Sequence, residues 1–174
     1  MTQTTDVRLV RNDADDSSAP NSSNQWFNLK CEAVETNVGN NMVARAILSA
    51  AGELAGADPV LNTETYQLTG IRLADIDPED YPDDVTDWYQ TQDSQGNTVT
   101  IPSSDHEQRM EAALRHAAKE WGPDSSNGFD QLVWNDQSIN VVITSFSATE
   151  SATQPAPGQY EVNMELTRID VYVG

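Results

Sequence analysis

The stretch Ser104–Trp121, SDHEQRMEAALRHAAKEW, decides the fold, because its start, its face and its end are all readable from residue types. Ser104 followed three residues later by Glu107 matches a capping box. The Ser hydroxyl accepts from an orphan backbone N–H while the Glu reaches back to the cap. Met110, Ala113, Leu114, Ala117 and Trp121 recur at spacings of three and four and form one apolar stripe. Glu111 and Arg115, four apart in the favourable order, are expected on the solvated side. Gly122 suits a left-handed C′ position, and Pro123 cannot continue the helix. A helix with one apolar side needs a sheet to lie on.

The chain supplies one. Val7–Val10 reads as a short strand and Asn12–Asn24, rich in Asp, Ser and Asn, as a mobile loop or arm. Trp26–Val34 places Phe27, Leu29 and Cys31 on one strand face, and Asn37–Asn41 reads as a turn. Met42–Leu54 is open between a helix and an extended arm, since its Ala content is offset by Gly52 and the lack of a cap. In Glu64–Leu73 the apolar phase switches at Gly70, which predicts a bulge or sharp twist there.

Asp75–Asp87 is an acidic, Pro-broken loop, Asp93–Asn97 a turn and Val99–Ile101 a strand stub. Beyond the helix, Phe129–Trp134 and Ile139–Phe146 flank Asn135–Ser138 as a hairpin. Apolar residues of both parities in Ile139–Phe146 predict cover on both sides. After the connection Ala152–Gly158, Tyr160, Val162, Met164 and Leu166 alternate. Ile169, Val171 and Val173 continue in the opposite phase, which predicts a bulge near Thr167-Arg168. The sum is an α+β fold, a mostly antiparallel β-sandwich or barrel with one flanking helix over about 104–121. It is read as a single domain, 1–174, with an N-terminal strand and arm over 1–25 and an acidic loop insertion over 75–98.

Nine basic residues against 28 acidic ones give a net charge of −19, and Lys30 and Lys119 are the only lysines. Such a surface opposes binding to nucleic acid or anionic membrane, which requires clustered cations. High charge with low hydrophobicity also fits disorder, but the capped helix, the alternating strands and four tryptophans argue for a folded chain. Concentrated salt would screen the carboxylate repulsion, so the balance fits a halophilic protein. Cys31 is the lone cysteine and excludes an intrachain disulfide. No apolar run reaches the ~20 residues of a membrane span. The first residues lack the basic and apolar regions of a signal peptide. Asn21-Ser22-Ser23 matches a glycosylation acceptor, a triplet that arises often by chance.

A search for chemistry finds little. Asp105-His106-Glu107 begins like a zinc-protease helix, but the second His that must follow four residues after the first is Met110. His106 and His116 read as surface histidines. Asp75–Asp80 resembles the start of an EF-hand loop, yet Asp80 and Thr86 stand where Gly and Glu are required. Asp83, Asp84 and Asp87 fit a solvated acidic loop better than a cation site. Cys31 on a strand reads as a small core residue. No phosphate-binding or nucleophile motif is present. The expectation is a chain that is not an enzyme, with no catalytic, cofactor or metal site. Trp121 and Trp134 read as core. Trp88 and Tyr89, with Tyr81 nearby, lie outside any amphipathic element and are the candidate subunit contacts.

Asp58-Pro59-Val60-Leu61 and Tyr66-Gln67-Leu68-Thr69-Gly70-Ile71, then the helix Glu107–Trp121, the hairpin Phe129–Phe146 and the closing runs Val141–Glu150 and Tyr160–Thr167 follow an order that resembles tail proteins of long-tailed, siphovirus-like viruses. The resemblance is one of element order and spans residues 58–174. With the acidity, it implies a virus of a halophilic archaeon. It implies a barrel or sandwich flanked by a helix, assembled as hexameric rings that stack into a tail tube, with other virion tail proteins as partners and no membrane. The protein would belong to the virion and assemble in the host cytoplasm. Genome DNA would pass through the lumen unbound, since carboxylates repel phosphates. Residues 75–97 and the N-terminal arm are the expected bridges between rings. Two alternatives stand beside the tube: a distal tail or baseplate component of the same fold, and a halophilic binding module for a ligand or glycan.

Overall fold

Alternating apolar residues produce six strands whose inward faces meet in one core. The computed structural model describes residues 3–40, 62–75, 77–150 and 160–169. The strands are β1 (Thr5–Val10), β2 (Trp26–Asn40), β3 (Asn62–Ile71), β6 (Asp130–Trp134), β7 (Gln137–Glu150) and β8 (Tyr160–Arg168). They close as an antiparallel barrel in the order β1-β2-β3-β8-β7-β6. Between β3 and β6 lie three 3-10 turns (Leu73–Asp75, Pro78–Asp80 and Thr86–Tyr89), a small hairpin of β4 (Gln90–Gln92) and β5 (Thr98–Thr100), and helix α1 (His106–Glu120). Leu9, Phe27, Leu29, Cys31, Leu68, Leu132, Val141, Val162 and Leu166 fill the interior, and Met110, Ala113, Leu114 and Ala117 of α1 join the same cluster. The α+β, barrel-and-one-helix expectation holds at this level.

The helix ends differ from expectation by one residue each. Asp105, not Ser104, is the cap, and its carboxylate accepts from the Gln108 N–H at 3.4 Å. An Asp placed next to a Ser competes for the cap with a full negative charge at the positive end of the helix dipole. At the other end Trp121 turns extended, and no left-handed glycine is used there. The Trp121 ring anchors the exit, 5.3 Å from Phe27, with Nε1 donating to Gln25 Oε1 at 3.2 Å. Glu111 is also displaced from its expected place: it is buried, and its partner Arg115 reaches in from the exposed side.

Gly70 has φ +62° and sits where the β3–β8 register shifts, as the phase switch predicted. The Asn135-Asp136 pair, both at positive φ, makes the tight β6–β7 turn. Three strand expectations are corrected. β2 does not turn at Asn37 but runs to Asn40, paired with Asn62. β7 is not covered on both sides. A bulge between Ile143 and Ser145 shifts its phase, so Phe146 and Ala148 pack toward the core and Ser145, Ser147 and Thr149 are exposed. β8 runs straight through Thr167 to Arg168, and the irregularities fall opposite Gly70 and Thr144 instead. Met42–Leu54, Asp58–Leu61, Ala152–Gly158, Val171 and Val173 lie outside the described residues.

Residues 12–24 are a loop held by its own side chains. Asn12 Nδ2 donates to Gly122 O at 2.8 Å, Trp26 Nε1 to Ser18 O at 2.8 Å, and Asn24 Nδ2 to Asp15 O at 2.8 Å.

Candidate assembly surface

The barrel closes only over part of its length. β1 pairs with β2 from Trp26 to Cys31, and β6 pairs with β7 from Gln137 to Val141. Beyond those points β2, β3, β8 and β7 continue together as a four-stranded sheet. Among the described residues, no strand pairs with the outer edge of β2 from Glu32 to Asn40, or with that of β7 from Val142 to Glu150. Neither edge carries a Lys or a Pro, the residues that most often block edge pairing.

The two faces of this sheet are unlike. Val34, Leu68, Met164 and Phe146 stand in one cross-strand row on the core side, where α1 packs against β7 and β8. Glu35, Gln67, Glu165 and Ser145 form the adjacent row on the other face. Asn163 with Ser147 and Glu161 with Thr149 extend it. Gln67 Nε2 donates to Glu165 Oε2 at 3.3 Å, and Thr144 Oγ1 to Glu165 Oε1 at 3.2 Å. No residue of these polar rows is basic.

Tyr81, Trp88 and Tyr89, the residues read as subunit contacts, are placed in the interior of their own chain, exposed by 1, 9 and 0%. They fasten residues 73–101 to α1. Trp88 stacks on His116 at 4.5 Å, and Arg109 lies over the Tyr89 ring at 4.4 Å. Arg109 also pairs with Asp83, and its Nε donates to Ile101 O at 3.1 Å. Tyr81 OH donates to Asp83 Oδ1 at 3.3 Å and stands 3.4 Å from His106 Nδ1. Burial pushes the Tyr81 and Tyr89 phenols well above the usual range. The His116 imidazole is pushed below its ordinary value, chiefly by burial. These groups clamp a segment and do not converge on an open reaction space.

Cys31 is buried, and burial, then the Asp6 charge, pushes its thiol up to about 12, which disfavours the thiolate. Among the described residues no three His, Cys, Asp or Glu side chains are grouped to hold a metal. Asp84 and Asp87 are exposed, while Asp83 is spent on Arg109. No described helix is long and apolar enough to cross a membrane.

One cleft of about 370 Å³ lies between α1 and residues 87–101, with Tyr160 in its lining. Arg115, His116 and Lys119 line it together with Asp87, Gln108 and Glu111. Neither this cleft nor the edges left unpaired among the described residues is readable in the sequence. Whether a strand is an edge depends on pairing between distant segments, and no local residue pattern encodes that. The one available signal was the length of β7 relative to β6.

No protein-family model matches the chain, and no curated protein matches it in sequence.

Proposed function

We propose that the protein is a self-assembling structural subunit. In this reading the β7 edge of one copy joins the β2 edge of the next and closes a ring, and stacked rings form the tail tube of a long-tailed virus infecting a halophilic archaeon. The observation that carries the reading is the pair of edges, unpaired among the described residues, at opposite sides of one four-stranded sheet. Successive strands in β2-β3-β8-β7 are antiparallel, so β7 and β2 run in opposite directions. A β7 edge meeting a neighbour's β2 edge therefore continues the antiparallel pattern without interruption. Two different surfaces in contact make a heterologous interface, which closes as a ring when the rotation allows. Six copies is the number the resemblance implies.

The unlike faces support the same reading. With α1 covering one side, the Glu35–Gln67–Glu165–Ser145 side would line the lumen. A wall of carboxylates, amides and hydroxyls offers a phosphate backbone no cation to grip. A pair of bare edges is a liability in a monomer and is satisfied in a ring.

Electron microscopy in concentrated salt tests this. Six-fold rings are expected, and stacked rings would favour the tube over a distal tail or baseplate position. A field of monodisperse single copies would overturn the reading and favour a binding module. A proline scan sharpens the test. Of Thr36→Pro and Asn37→Pro, one removes an N–H directed at the bare edge and the other an N–H bonded to β3. The first should abolish rings and leave the far-ultraviolet spectrum of the fold unchanged.

A further inference from the structure

We propose that copies join in one register, in which Val38 of one copy packs beside Ile143 of the next and Val34 beside Ala148. Residues 142–150 of β7 then lie along residues 32–39 of the neighbour's β2. The inference rests on the ring reading above and fixes which residues of its two edges meet.

The strands that already occupy each edge set the limits. β1 holds β2 as far as Cys31, opposite Thr5, and β6 holds β7 as far as Val141, opposite Asp130. A joining β7 can therefore run along its neighbour's β2 only to Glu32. Thr144 is the extra residue of the β7 bulge, since Ile143 faces Leu166 and Ser145 faces Glu165. The extra residue of a bulge takes no partner. Residues 142–150 without Thr144 match residues 32–39 in length, position for position. Setting Glu150 at the neighbour's Glu32 brings Val142 to Gly39 and leaves Asn40 level with Val141, where β6 starts. Flush continuation of the row Val34–Leu68–Met164–Phe146 would instead set Phe146 at Val34 and drive Glu150 to Lys30, which Asp6 already holds. Each joint is thus staggered by two residues, in keeping with the stagger that a closed sheet requires.

The faces agree with this register. Residues directly opposite each other in an antiparallel pair share a face. Ile143, Phe146 and Ala148 of β7 pack toward the core, while Ser145 and Ser147 are exposed. On β2, Val34 packs toward the core, and Thr36 and Val38 follow it on the same face. The joint places Phe146 beside Thr36, Ile143 beside Val38 and Ala148 beside Val34 on the helix side. Ser145 beside Asn37 and Ser147 beside Glu35 continue the polar side. A slip of one residue would cross the two faces. A slip of two toward Asn40 would leave Glu32 and Ala33 unpaired and set the Glu150 charge against Val34.

Val38 supplies the reason for contact. At 69% it is the most exposed large apolar side chain among the described residues. Directly opposite it in its own copy stands Glu64, whose carboxylate accepts from Tyr66 OH and, at 3.2 Å, from Arg168 Nη1. The neighbour's Ile143 gives Val38 an apolar partner on its other side. Glu150 meets Glu32 at the far end of the joint, and Arg72 stands 2.9 Å from Glu32 to offset that pair.

Paired cysteines test the register. Ser147→Cys with Glu35→Cys probes one face, and Ala148→Cys with Val34→Cys the other. The pairs are adjacent, so one of them has the closer, non-hydrogen-bonded spacing of about 4.5 Å, within disulfide reach. Within a single copy each pair spans a four-stranded sheet, about 14 Å, too far to bond. Rings assembled in reductant and then oxidised should give a ladder of linked chains on a non-reducing gel with at least one pair. The flush pairs, Ser147→Cys with Ala33→Cys and Ala148→Cys with Glu32→Cys, should leave single chains. The unaltered protein should do the same, since Cys31 is buried. Val38→Thr keeps shape and strand propensity and exchanges a methyl for a hydroxyl. It should raise the protein concentration for half-assembly about fivefold and leave the circular dichroism of the single copy unchanged. Rings that link only through the flush pairs, that link through no pair, or that form equally well with Val38→Thr would overturn this register and leave the ring reading standing. Absence of rings under every condition would overturn both.

Discussion

Gly70 and Asp130 show how single positions are constrained by what surrounds them. At Gly70 a φ of +62° is comfortable only without a Cβ, and an added Cβ would fall 2.7 Å from Glu32 Cγ. The Glu32 side chain is exposed and can swing away, so the backbone term dominates. Gly70→Ala should therefore cost about 1–2 kcal/mol in urea unfolding. Asp130 is buried, accepts from the Asn12 N–H at 3.0 Å through Oδ1, and leaves Oδ2 without a partner. Burial pushes its carboxyl up to about 6. A folded-state value above the unfolded one means the protonated form is favoured by folding. The contribution is full below about 3.8 and is lost as pH rises through about 6. The loss is on the order of 2–3 kcal/mol. Asp15 and Asp93 act in the opposite sense: hydrogen bonds from Ser17 and Asn97 hold them below the usual range, and that stability is lost on acidification. Comparison with Asp130→Asn isolates the buried group. The variant mimics the protonated acid, so it should be more stable than the unaltered protein at pH 7 and nearly equal at pH 4 by urea midpoint. Equal midpoints at pH 7 would show that Asp130 is not strained by its charge.

At the scale of elements, the segment 73–101 is fastened to α1 chiefly by Arg109. Its guanidinium serves Asp83, Ile101 O and the face of Tyr89 together, a geometry that a lysine ammonium cannot reproduce. Arg109→Lys should cost about 1–2 kcal/mol, discounted for the partly exposed Asp83. Amide exchange should quicken at Ile101, whose N–H donates to Tyr89 O at 2.7 Å, while Leu29 in the barrel stays protected. Uniform quickening across both would mean the segment and barrel unfold as one unit. The elements themselves were largely legible. Helix α1, the Asn135-Asp136 turn and the Gly70 bulge each rest on contacts within a few residues, which periodicity and turn chemistry report directly. Trp88 and Tyr89 read as an unframed pair in the sequence because what frames them within the chain is α1, which begins after them and gives no local signal. Helical spacing puts Glu111 toward solvent, yet it lies about 60° from Leu114, at the edge of the buried arc. The apolar residues of both parities in β7 were compatible with two-sided burial or a bulge, and only the pairing with β8 separates the two. The bare edges were the least legible feature, since they are a property of the whole topology.

For the whole molecule, salt is the variable that sets the competing terms against one another. Partly exposed ion pairs such as Arg8–Asp16 and Arg168–Glu64 are worth about 0–1 kcal/mol each and weaken as salt rises. Repulsion within a chain of net charge −19 also weakens, and it acts among 28 acidic residues, so its relief should outweigh the lost pairs. The thermal midpoint should therefore climb steeply with sodium chloride. The steep part should end near 1 M, where the screening length is about 3 Å and exposed charges no longer act beyond contact. A midpoint that keeps rising linearly well beyond that concentration would assign the effect to strengthened burial of apolar surface rather than to screening. The same repulsion acts between copies, each carrying −19 toward its neighbours, so ring formation and folding should rise over the same range of salt. A proline on the β2 edge removes a hydrogen bond rather than a charge, so the factor by which it raises the half-assembly concentration should be the same at every salt concentration. Measuring that concentration against salt for the variant and the unaltered protein checks this. Curves that converge as salt rises would place the β2 edge outside the interface.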